Sequence, residues 1–179
     1  MTFEEGINEI SSTFMDILNE AESYFGERDK SWTFTGIEFR EDGPYIMYYP
    51  NKTISIVLSS NSSNNFIQLY YQLAHETCHL LYPTGKADAN NLNEGISTIF
   101  SKIYQEKKYP SSTFAFDCIK KSKYFEAYSL VEELLSFDSE IIKKIRAINP
   151  NISYVTKDDL RKLGFNLRDE LIDKLVQRF

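Results

Sequence analysis

Histidine and cysteine are both scarce in this chain, with two of each in 179 residues. Cys78 and Cys118 stand far apart in sequence and do not resemble a disulfide framework, so a reducing, cytoplasmic setting is expected. Basic clusters are absent: 20 Lys and Arg against 26 Asp and Glu leave a formal charge of −6, which excludes nucleic acid as an expected partner. No apolar run approaches the length of a membrane span, and Met1 to Gly6 carries neither a basic nor an apolar leader segment, so no membrane partner is expected. Internal repeats and low-complexity segments are missing too. What remains is an ordinary globular composition, 42% hydrophobic and 26% charged, that is rich in aromatics with thirteen Phe and twelve Tyr. At this length one domain spanning residues 1–179 is expected, with position 110 as the seam of a helical C-terminal subdomain from about 111.

Hydrophobic periodicity divides the chain into helices and a few strands. Residues 3–25 place Phe3, Ile7, Ile10, Phe14, Ile17, Leu18 and Ala21 at helical spacing. Three β-like runs follow, at 32–40, 45–49 and 53–59. The first changes phase at Gly36, as at a bulge, and Asp42-Gly43-Pro44 marks a turn before the second. The order helix, strand, strand, strand argues for an α+β fold with a small antiparallel or mixed sheet. A helix is expected over 64–82, capped by Ser62 or Ser63, and a second over 92–106. Beyond Pro110 the pattern is helical: 113–121, 123–137, 138–148, a short helix from Thr156 with Asp159 as capping-box partner, and 167–179 capped by Asn166.

Both histidines fall in one stretch, His75-Glu76-Thr77-Cys78-His79, an H-E-x-x-H pattern inside the 64–82 helix. Residues four apart on a helix lie about 40° apart around the axis and one turn apart along it, so the two imidazoles can converge on one zinc ion. The intervening Glu76 is placed to act as general base on a metal-bound water. A lone histidine reads as a core residue; this pair, in an apolar helix with glutamate between, reads as a metal site. Gln68, Gln72, His75 and His79 form one narrow polar stripe on that helix. The next helix repeats the design with Glu94, Thr98, Ser101 and Gln105, so the two stripes are expected to enclose a polar site. Zinc needs a third protein ligand, and with no further histidine it must be a carboxylate or a cysteine. Glu94, in the first turn of the following helix, is the best candidate; its structural alternative is a favourable interaction with the helix dipole.

His75-Glu76-x-x-His79 followed by Leu92-Asn93-Glu94-Gly95 resembles the gluzincin group of zinc metallopeptidases, compact members above all, over about residues 53–106. The resemblance implies a zincin-like fold with an active-site helix and a glutamate helix, followed by the helical C-terminal part. It implies His75, His79 and Glu94 as ligands of Zn2+, Glu76 as catalytic base, and a peptide or protein as substrate. The strand at 53–59 would be the sheet edge that aligns the substrate. The chain departs from the group in three ways, the first being an interval from His79 to Glu94 shorter than in the large aminopeptidase and thermolysin-like families. Thr98 stands where an acidic residue often orients a histidine, leaving Asp88 as the candidate for that task, and no third histidine is present to hold the oxyanion. Tyr124 and Tyr128 are the candidates for the latter, set against a core-packing role for each.

The leading expectation is therefore a zinc-dependent peptidase, and the acidic C-terminal helices are candidates to cover the cleft and hold it latent. The alternative is a non-catalytic zinc-binding interaction or regulatory protein on the same fold, although a structural site has no need of Glu76. A helical domain with a coincidental motif would bind no stoichiometric metal.

Overall fold

A computed structural model describes residues 3–179, with side chains from Ile10 onward. The expectation for Met1 and Thr2, and those for the Phe3 and Ile7 side chains, fall outside what is described. The architecture is α+β: eight α-helices among the described residues and one mixed three-stranded sheet. Helix α1 (Phe3–Phe25) leads into β1 (Thr33–Arg40), β2 (Tyr45–Tyr49) and β3 (Thr53–Ser59). Helices α2 (Phe66–His79) and α3 (Asn91–Lys108) follow, then α4 (Phe114–Lys120), α5 (Tyr124–Phe137), α6 (Ile141–Ile148), α7 (Lys157–Arg161) and α8 (Asp169–Val176). No helix among the described residues is long and apolar enough to cross a membrane.

The sheet order is β1-β3-β2, with β3 parallel to β1 and antiparallel to β2. Ile54, Ile56 and Leu58 of β3 are buried in the core, as their period-2 spacing demands. On the other face Glu38 accepts hydrogen bonds from Tyr49 (2.9 Å) and Ser55 (3.2 Å). The register shifts between Phe34 and Ile37, at the expected bulge, where Gly36 adopts φ of +141°. One expectation fails here. β3 is the central strand and spends its backbone groups on both neighbours, so 53–59 is not the sheet edge beside the cleft. That edge is β2.

Helix α2 starts later than the polar loop suggested. Residues 60–64 form a 3₁₀ turn in which Ser62 and Ser63 donate to Ser59 O and Ser60 O. Asn65, not either serine, caps α2 by accepting from the Gln68 N–H at 3.3 Å. Gln72 then ties the helix to the end of β3: its Oε1 accepts from the Ser59 N–H at 3.1 Å. At the other end of α2, the Arg146 guanidinium from α6 donates to Leu81 O (3.3 Å) and also to Phe25 O (2.7 Å) and Gly26 O (2.6 Å) at the end of α1. One cation thus ties the chain just beyond α2 to the carbonyl end of α1.

The capping box expected at Thr156 is complete, with Thr156 and Asp159 each accepting the other's backbone N–H. Helix α8 is shorter than the pattern proposed: it begins at Asp169 without a side-chain cap, so Asn166 does not serve, and residues 177–179 leave it extended. One core cluster joins α1, the sheet, α2 and α3 to Leu130, Val131, Ile142 and Leu171 from the helices beyond position 110.

Helices α3 and α5 cross closely at Gly95. A Cβ on Gly95 would stand 2.3 Å from Ala127 O and 2.4 Å from Val131 Cγ2. Gly95→Ala is therefore expected to lower the unfolding free energy by about 1–3 kcal/mol, the usual cost of overpacking. Urea denaturation of the two proteins measures it, and equal midpoints would show that α5 can shift freely.

Candidate metal centre

The last two turns of α2 and the first turn of α3 face each other across the polar ends of their stripes. Asn90 starts α3 by accepting the Asn93 N–H at 2.8 Å, which aims the following turn at α2. His75 Nε2 lies 3.2 Å from Glu94 Oε2, and His79 Nε2 lies 3.8 Å from Glu94 Oε1. One ligand atom from each of the three residues lies within 4.8 Å of the other two. In a tetrahedral zinc site with bonds near 2.1 Å, adjacent donors stand about 3.4 Å apart. The separations to the Glu94 carboxylate straddle that value, so the donor set fits a small divalent ion. Two imidazoles and one carboxylate are donors that zinc and Fe(II) both accept.

The group lines a cleft of about 350 Å³, with Glu76, Tyr82, Tyr124 and the β2 residues Tyr45, Ile46 and Tyr48 also in its walls. Burial dominates its electrostatics. It pulls the His79 imidazole down to about 4, leaving a neutral ring with a free lone pair. Burial also works against the charged form of His75, but the contact with Glu94 and the charges of Glu76 and Glu94 outweigh it and raise its pKa. Burial pushes Glu94 up, and the imidazoles of His79 and His75 more than reverse this, so Glu94 stays ionised. Glu76 behaves differently: burial raises its carboxyl to about 7, opposed by His75 and reinforced by Glu94. That places Glu76 where a group that takes and returns a proton near neutrality should be.

The remaining candidates separate. Tyr124 reaches the site, its ring packed edge-on against His75 at 5.3 Å. Burial, then the charges of Glu94 and Glu76, keep its hydroxyl protonated far above neutral pH. Tyr128 does not line the cleft and donates to Glu132 on its own helix. Asp88 does not orient a histidine; it pairs with Lys86 and Arg178 at 2.9 Å each. Thr98 donates to Glu94 O at 2.7 Å within α3. The rest of the α3 stripe points away from the cleft: Ser101 and Gln105 are fully buried, and both Gln105 amide atoms lack a partner.

The residue that does orient a histidine is Asn93. His79 Nδ1 donates to Asn93 Oδ1 at 3.0 Å, which fixes the tautomer and leaves Nε2 facing Glu94. Asn93 Nδ2 in turn donates to Ser153 Oγ. Asn93 stands beside Glu94 in the motif, so it was visible in the sequence; its partner Ser153 was not.

No protein-family model, no curated protein and no solved structure matches this chain. The inference of function therefore rests on the residues and their geometry.

Asn93→Ala frees the His79 ring and orphans the Ser153 hydroxyl. Affinity for Zn2+, measured by competition with a chromophoric chelator, is expected to fall about 10–100-fold. Unchanged affinity would mean that Asn93 does not orient the ring.

Proposed function

We propose that this chain is a zinc-dependent metallopeptidase of gluzincin type on a zincin-like fold. The observation that carries the reading is the convergence of His75, His79 and Glu94, from two helices, on one point of an open cleft with Glu76 beside them. A structural metal site is closed by protein ligands, whereas this one has three and opens into a cleft.

His75, His79 and Glu94 would hold a zinc ion, which would supply a Lewis acid in the cleft. Glu76 would accept a proton from the attacking water and return it to the leaving amine, a task suited to a carboxyl whose pKa burial has raised toward neutrality. Tyr124 keeps its proton and presents a donor for the negative charge that develops on the carbonyl oxygen. Asn93 holds His79 against rotation. β2 is the sheet edge at the cleft, and its unpaired backbone side offers an extended peptide a ladder to join. The free thiols of Cys78 and Cys118 accord with a reducing, cytoplasmic setting.

Purified protein is expected to carry about one zinc per chain, in keeping with a single three-residue site. His75→Ala and Glu94→Ala should each lose the metal, whereas Glu76→Gln should keep it and lose hydrolysis of a peptide library. Retained turnover in Glu76→Gln would remove the proposed base. Stoichiometric zinc without hydrolysis would favour a non-catalytic zinc-binding protein, and protein that takes up no zinc would end the metallopeptidase reading.

A further inference from the structure

The cleft has an occupant of its own. Beyond α8 the chain runs antiparallel to the start of α3, bridged at Asn90 and Arg178. The Asn91 N–H donates to Gln177 O at 2.9 Å and the Phe179 N–H to Ala89 O at 3.1 Å. Arg178 anchors the strand by pairing with Asp88 and donating to Ser153 O, both at 2.9 Å. Phe179 is thereby delivered to the cleft, where its ring stacks on Tyr124 with centroids 4.9 Å apart and planes 25° apart. Lys123 Nζ lies 4.3 Å from the Phe179 centroid and 5.5 Å from that of Tyr124. The same Tyr124 ring packs against His75, with centroids 5.3 Å apart and planes 74° apart.

We infer that Lys123 and Tyr124 form an aromatic subsite beside the metal centre, which Phe179 fills in this structure and which an aromatic side chain of the peptide substrate takes when Phe179 withdraws. The inference deepens the peptidase reading and rests on it. Three observations carry it. Stacking on Tyr124 and attraction to the Lys123 ammonium both act on a π face, so an aliphatic side chain of equal area gains only its burial. Phe179 remains 37% exposed, so its withdrawal forfeits only part of a side chain's burial and is within reach of competition by a ligand. The backbone that holds it pairs with residues 89–91, where α3 begins, rather than with β2, so the free edge of β2 stays open while the ring is in place. Lys123 and Tyr124 thus determine specificity, and Phe179 competes with substrate.

The test uses the full chain, treated with chelator so that hydrolysis plays no part and checked for an unchanged thermal transition. Binding of two end-blocked tripeptides, Ala-Phe-Ala and Ala-Leu-Ala, is measured by NMR titration. Phe179→Ala is expected to bind the Phe peptide about tenfold tighter than the unaltered chain does, and about tenfold tighter than it binds the Leu peptide. Adding Lys123→Met should shrink the preference for Phe severalfold. Equal affinity of Phe179→Ala for the two peptides would overturn the subsite, as would no gain over the unaltered chain. The two readings fail separately. Aromatic-selective binding in a protein that never hydrolyses peptides removes the peptidase and leaves the subsite; hydrolysis by a Phe179→Ala variant that binds the two peptides equally does the reverse.

Discussion

The cleft depends on the packing of α2 against the first turn of α3. That contact sets the His75, His79 and Glu94 side chains at mutual distances suited to a divalent ion. It is held from several sides. Gln72 fixes α2 to the end of β3, Arg146 ties the chain just beyond α2 to the carbonyl end of α1, and Gly95 lets α5 press on α3 without a side chain between them. Each of these contacts lies off the cleft, yet each sets the relative position of the two helices. A shift of an ångström between α2 and α3 would separate a carboxylate from two imidazoles that low local dielectric otherwise couples strongly.

The same packing explains why four carboxyl and imidazole groups of one neighbourhood behave differently. His79 is buried against a neutral amide and loses its proton readily, whereas His75 faces Glu94 directly and Glu76 nearby, and keeps its own more tightly. Glu94 shares its charge with two rings and stays ionised; Glu76, without such a partner, is driven toward neutrality. In the proposed reading, ligand and base are thus distinguished by environment, not by residue type.

The helices beyond position 110 contribute to the cleft as well as to the core. Tyr124 and Lys123 come from the start of α5, Ser153 supports Asn93 from the turn after α6, and Phe179 arrives from the strand after α8. Leu130, Val131, Ile142 and Leu171 share one cluster with α2 and α3. A cleft whose rim is supplied by such distant segments is completed only when all of them have packed together.

Much of this was legible locally. Helical and strand periodicity located every long element, the phase change at Gly36 marked a bulge, and the i, i+4 geometry of a helix alone puts His75 beside His79. Polar stripes on two successive helices pointed to Glu94. Other features depended on contacts between segments far apart in sequence, which no local pattern encodes. Sheet order made β2 the edge and β3 the centre, although the β3 sequence reads equally well in either place. Helix packing brought Tyr124 to the cleft and left Tyr128 outside it, one helical turn away on α5. The final helix ends early because residues 177–179 find backbone partners at residues 89–91, where α3 begins, so tertiary hydrogen bonding overrode a continuous helical pattern and placed Phe179 at the site. The sequence by itself determined which side chains were available for the chemistry and which neighbours on one helix would meet. The tertiary structure decided which of them share a cleft, because that depends on the relative placement of whole elements.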